Sequence, residues 1–168
     1  MSGTTTDQAL AFLQQHQPLP PTADMSAELL ERFEEVRQHF VDVPNERAIP
    51  LLLGALSEGD GHGVFQRVED CLQQHPTHTV VPQLAAVLQR GRPEAQYWAA
   101  TFAMGFPHAE LVGPLGELAR TGGIELRTAA IMALDLDDSA DAKALVSELA
   151  AADPELASIL AELRDTEA

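Results

Sequence analysis

The stretch "VPQLAAVLQRGRPEAQYWAATFAMGF", residues 81–106, decides how the whole chain is read. Its apolar residues recur at helical spacing on either side of Gly91, Arg92 and Pro93. Glycine just past a helix end and proline in the first turn of the next mark the boundary between two helices. The second half holds the only tyrosine and the only tryptophan, adjacent at Tyr97 and Trp98. Neighbours on a helix point about 100° apart, so one apolar stripe does not readily take both rings. Ala95, Trp98, Ala99, Phe102 and Phe106 form one stripe, and Tyr97, Ala100 and Met104 a second. Such a helix needs cover on nearly every side, which places Trp98 between helices and Tyr97 nearer an edge.

The same pattern occurs before and after this stretch. "IPLLLGALSEGDG" begins at Ile49 and "GPLGELARTGGI" at Gly113. Pro50, Pro82 and Pro114 fall 32 residues apart, as do Gly59, Gly91 and Gly123. Each unit reads as a helix with proline in its first turn, a tight turn with a left-handed glycine cap, and a second helix. The second helices are "HGVFQRVEDCLQQH", "PEAQYWAATFAMGF" and "IELRTAAIMALDL". A fourth unit, "DAKALVSELAAADPELASILAELRD", lacks the markers and breaks at Asp153 and Pro154, as a capping unit does. A fixed period in this range signifies stacked helix pairs that bury their apolar faces against their neighbours. No convincing run alternates apolar and polar residues, so the expected class is all-α.

Ahead of the repeats, "SAELLERFEEVRQHFVDVP" predicts a helix capped by Ser26 and ended by Pro44. Residues 1–24 are expected to be a flexible N-terminal segment and linker, with two helical turns in "QALAFLQQH" and a linker in "QPLPPTAD". Residues 25–168 are expected to be the folded domain. The N-terminus lacks a basic region followed by a long apolar run, which argues against a secretory signal or membrane anchor. The single cysteine, Cys71, rules out an internal disulfide framework and suits a reducing cytoplasm.

With a first-turn proline, a glycine turn and "L-R-x-A-A" at Leu126, Arg127, Ala129 and Ala130, residues 45–137 resemble HEAT-like repeats. Residues 141–165 resemble a terminal repeat. The middle unit departs from the pattern, with Gln96 near the arginine position, and the first lacks the small-residue pair. The resemblance implies a short right-handed α-solenoid of about four helix pairs with an extra N-terminal helical segment.

Ten Lys plus Arg stand against 26 Asp plus Glu, a formal charge of −16. Direct binding to nucleic-acid phosphate is not expected, because that affinity rests on clustered basic residues. A basic protein is the electrostatic complement. No G-x-S-x-G, H-E-x-x-H or phosphate-cradling motif is present, so no catalytic residue is assigned and the chain is read as non-enzymatic. The glycine-rich "EGDGHG", residues 58–63, is acidic and reads as a turn. Cys71, His75 and His78 contain three borderline-soft ligands but no obvious fourth, and Cys71 reads as a small core residue. "DLDDSAD", residues 135–141, resembles the first half of a calcium loop, but Ala140 and Val146 replace the glycine and the glutamate such a loop needs. No metal and no cofactor are expected.

Repeat stacks bind through the face on which their second helices line up. Candidate partner-binding residues there are Gln66, Arg67, Glu69, Asp70, Tyr97, Thr101, Arg127 and Thr128. Asp135, Asp137 and Asp138 are added as an acidic edge for a basic partner. The resemblance extends to HEAT-like immunity proteins of bacterial toxin systems, which implies a cytoplasmic protein that neutralises a basic toxin domain. The alternatives are a HEAT-like scaffold or adaptor, and an accessory protein resembling bilin lyases. Glycosylase-type HEAT-like proteins need a basic, aromatic-lined groove that this composition does not supply.

Overall fold

The computed structural model describes residues 3–166, which contain ten α-helices and no strand. They are α1 (Thr6–Gln15), α2 (Ala27–Asp42), α3 (Ala48–Ala55), α4 (Val68–Leu72), α5 (Thr77–Arg90), α6 (Pro93–Ala103), α7 (Ala109–Thr121), α8 (Ile124–Leu136), α9 (Ala140–Ala152) and α10 (Pro154–Thr166). Short 3-10 turns occupy Thr22–Asp24 and Phe65–Arg67. The chain divides into two compact units, residues 1–83 and 84–168, with the boundary inside α5. Among the described residues no helix is long and apolar enough to cross a membrane.

In the first unit, the segment expected to be flexible is packed. α1 opens on a capping box, in which the Thr5 hydroxyl accepts from the Gln8 amide and the Gln8 side chain accepts from the Thr5 amide. Ala9, Leu10 and Leu13 are buried on the side that faces α2 and α3. The following strap bonds carbonyls of α3, including that of Ala55 at its end, which has no partner within the helix. Gln17 Nε2 donates to the Leu51 carbonyl at 2.8 Å, and the Leu19 amide donates to Ala55 at 2.9 Å. Leu19 is buried, and the Thr22 amide bonds the Glu58 carbonyl at 2.9 Å. Met1 and Ser2, also part of the expected flexible segment, lie outside the described residues.

α2 begins where expected, with Ser26 accepting from the Leu29 amide, and buries Phe33, Val36, Arg37 and Phe40. The helix pair expected after it is short. α3 has 8 residues and α4 only 5. Gly59, Gly61, His62 and Gly63 all take positive φ, which prevents a helix from passing through the turn. Phe65 then fills the space beside Gly61, where a Cβ would approach its ring to 2.6 Å, and meets Phe33 edge-on at 5.9 Å.

In the second unit, α7 packs on α8 and α9, while α8 packs on α6, α9 and α10. Successive helix pairs are thus stacked side by side. Pro50 stands in the first turn of α3 and Gly59 is left-handed, as expected, but the other marker residues play different parts. Pro82 and Pro114 stand inside α5 and α7, one turn beyond the helix starts. The bond each removes belongs to a carbonyl near the start of its helix, close to the end of the hydrogen-bond ladder. Of the three spaced glycines, only Gly59 is left-handed. Gly91 instead allows a close approach, since a Cβ there would lie 2.6 Å from the Val87 carbonyl oxygen. Gly123, at φ −66°, is the N-cap of α8. Asp153 and Pro154 separate α9 from α10, as their sequence indicates.

Candidate functional site

α6 and α8 lie side by side, and each bonds the helix before it in the same way. Gln96, the fourth residue of α6, donates Nε2 to the Leu88 carbonyl of α5 at 3.0 Å. Arg127, the fourth residue of α8, donates Nε to the Ala119 carbonyl of α7 at 3.2 Å. Each acceptor is eight residues earlier, in the last turn of the preceding helix, where carbonyls lack helical partners. Gln96 thus makes in α5–α6 the bond that Arg127 makes in α7–α8.

The two packed helices leave equivalent positions half-buried. Tyr97 and Thr128 are the fifth residues of their helices, and Thr101 and Met132 the ninth. All four are half-buried. Trp98 is only 6% exposed and stacks at a tilt on Phe102 at 5.8 Å, whereas Tyr97 leans edge-on against Trp98 at 5.3 Å toward the open side. The tryptophan therefore serves the core and the tyrosine the surface. Thr101 and Thr128 return their hydroxyl protons to the carbonyls of Tyr97 and Ile124, leaving their methyls and oxygen lone pairs for a partner. The two half-exposed methionines, Met104 and Met132, add adaptable apolar surface that the candidate list lacks.

Arg127 differs from these. Its side chain is 15% exposed, and besides Ala119 it binds Glu155 at 2.7 Å and Asp153. It ties α7 and α8 to the turn before α10 and to α10 itself. Asp135 accepts from Arg164 of α10 at 2.7 Å. Asp137 is buried and accepts from the Ser139 amide at 2.8 Å, while Ser139 caps α9. Asp138 is 99% exposed and faces Lys143 at 3.4 Å. The acidic loop is thus largely a capping turn, with Asp138 its outward member.

The remaining candidates belong to the first unit and gather around Arg37, which is 1% exposed. Its guanidinium binds Glu34 at 2.6 and 2.9 Å, Gln38 at 3.1 Å, the Arg67 carbonyl at 3.3 Å and Asp70 at 3.4 Å. Arg67 closes the group on Glu34 at 2.5 Å. The hydrogen bonds from Arg37 hold the Glu34 carboxyl below the usual carboxylate range, against the opposing effect of burial. Burial raises the Glu69 carboxyl, and neighbouring Asp70 adds to the rise. Gln66 is exposed on the same turn. Arg67 and Asp70 therefore support the fold of the first unit. Sequence reading did not find Arg37 or Glu34, although an arginine within the stripe Phe33, Val36, Arg37, Phe40 signals a buried cation that needs an anion.

Cys71 is buried, donates to the Arg37 carbonyl at 3.2 Å, and has its thiol pushed up to about 12 by burial. A thiol so protonated is neither a nucleophile nor a ready metal ligand. Among the described residues no three His, Cys, Asp or Glu side chains form a group able to hold a metal ion.

In comparisons with known proteins, the chain matches no protein-family model, no curated protein and no solved structure. The class its fold defines is an all-α protein of helices packed side by side.

Proposed function

We propose that this chain is a non-enzymatic protein-binding module, with HEAT-like helix pairs forming a short solenoid that presents the α6–α8 face to a basic partner. Within that class the favoured role is that of a cytoplasmic immunity-type protein that covers and neutralises a basic toxin domain.

The distribution of charge is the observation that carries this reading. Eight of the ten cationic side chains, from Arg32 to Arg164, are engaged in ion pairs inside the chain. The remaining carboxylates greatly outnumber the other two cations, and their field attracts a partner of opposite sign and speeds its encounter. Tyr97, Thr101, Thr128, Met104 and Met132 supply the uncharged contact area that fixes a complex once formed. The partner is a protein, and no nucleic acid, membrane or cofactor enters this reading.

Affinity capture of partners from the native lysate, with elution in salt steps, tests the reading. A stoichiometric basic protein released by rising salt is the expected result. A captured set dominated by acidic proteins, with retention indifferent to salt, removes the charge argument.

A further inference from the structure

A concavity lies where the ends of α5 and α7 meet the starts of α6 and α8. Its volume is about 490 Å³, within the range of clefts that hold a small ligand or a few side chains. Leu88, Pro93, Pro114, Leu118 and Leu126 form its apolar wall, and Gln89, Gln96, Glu117 and Thr121 its polar one. Ile124, half exposed, extends this surface outward from the neighbouring Gly123.

Glu117 is the one charged residue lining the cleft among the described residues. Its side chain is 69% exposed, and its Arg120 neighbour stands 3.9 Å away while binding Glu148 at 3.0 Å. The carboxylate is thus weakly neutralised at the rim of an apolar hollow. Gln96 also lines the cleft, with one side-chain N–H held by the Leu88 carbonyl.

From this combination we infer that the cleft is a docking site for a polypeptide segment carrying a bulky apolar residue beside a Lys or Arg. The apolar side chain enters among Leu88, Leu118 and Leu126, and the cation meets Glu117. Charge complementarity selects this occupant. A second copy of the chain would bring net charge −16 against −16, and an acidic segment would set its carboxylates against Glu117. The inference rests on the reading of the chain as a binder of basic proteins, and adds a second point of attachment.

Gly123 makes the site testable. It lines the cleft at a φ of −66°, and a Cβ built there meets nothing within 4 Å, so Gly123→Phe adds a bulky side chain at the cleft wall without a clash. Glu117→Lys reverses the rim charge at an exposed position.

The probe is a random hexapeptide library selected on the immobilised full chain, with affinities of the enriched peptides then measured on wild type, Gly123→Phe, Glu117→Lys and Tyr97→Ala. Melting curves confirm that each variant is folded. The expected outcome is enrichment of an apolar residue next to Lys or Arg, with about tenfold weaker binding to Gly123→Phe and to Glu117→Lys. Tyr97→Ala should retain the peptides. No enrichment, enrichment of acidic peptides, or retention by both cleft variants overturns the inference. Peptides lost only with Tyr97→Ala overturn it too, but leave the α6–α8 face standing as the binding surface.

Discussion

Arg127 Nε donates to the carbonyl of Ala119 at 3.2 Å, reproducing in α7–α8 the bond that Gln96 makes to Leu88 in α5–α6. In both, a side chain from the first turn of one helix satisfies an orphan carbonyl at the end of the helix before it. Arg127 does more, because its two terminal nitrogens also hold Asp153 and Glu155. Arg127→Ala is expected to cost about 2–4 kcal/mol, since it strips a mostly buried, hydrogen-bonded charge from its partners. Arg127→Gln, which keeps the backbone bond as Gln96 does, should lose roughly half as much. Urea denaturation of the two variants checks the order, and equal losses would show that the carbonyl bond contributes little.

The Arg37 cluster gives the first unit its acid sensitivity. Glu34 titrates below its ordinary value of 4.5 in the folded chain, so its contribution is complete above that value and is lost as pH falls through the lowered one. Glu34→Gln should therefore reduce stability at pH 7 and flatten the fall in stability below about pH 4.5. Arg37→Ala leaves Glu34 and Asp70 without their shared cation and is expected to cost about 3–5 kcal/mol. Chemical denaturation across pH 3–7 separates these effects.

Glu69 has the opposite sign. Burial raises its carboxyl in the folded chain, so ionisation near neutral pH opposes folding, and the stability it lends is present only at low pH. Glu69→Gln is expected to raise the melting temperature at pH 7, with the gain shrinking as pH falls toward 4. A lower melting temperature at pH 7 would contradict this sign.

Two glycines one repeat apart should respond differently to alanine. Gly91→Ala sets a Cβ 2.6 Å from the Val87 carbonyl oxygen and should destabilise by about 1–3 kcal/mol. Gly123→Ala meets no neighbour at an ordinary φ, and its weaker N-cap is balanced by reduced chain entropy, so a change within about 0.5 kcal/mol is expected. Thermal denaturation of the pair is the check.

The helix pairs of the second unit were legible because the apolar period acts locally. α5 to α10 therefore fall close to where the sequence places them. The packed N-terminus was not legible, because its order depends on Gln17 and Leu19 meeting Leu51 and Ala55, carbonyls more than thirty residues away in the chain. The short α4 has a similar cause, since positive φ at His62 depends on the folded turn around it. Among the candidate contacts, the polar type of Arg127, Arg67 and Asp137 was visible, but not that Arg127 and Arg67 are held by partners elsewhere in the fold and Asp137 by the Ser139 amide two residues on. Tyr97, Thr101 and Thr128 are better placed for recognition because no ion pair occupies them.

The affinity of the captured basic partner for wild type, Tyr97→Ala and Thr128→Lys, measured at two salt concentrations with melting temperatures recorded in parallel, tests the proposed face most directly. Binding should weaken by tenfold or more, on the order of 1.4 kcal/mol, for both variants at unchanged melting temperature, and wild-type affinity should fall as salt rises. Wild-type affinity retained by both folded variants would contradict recognition through the α6–α8 face.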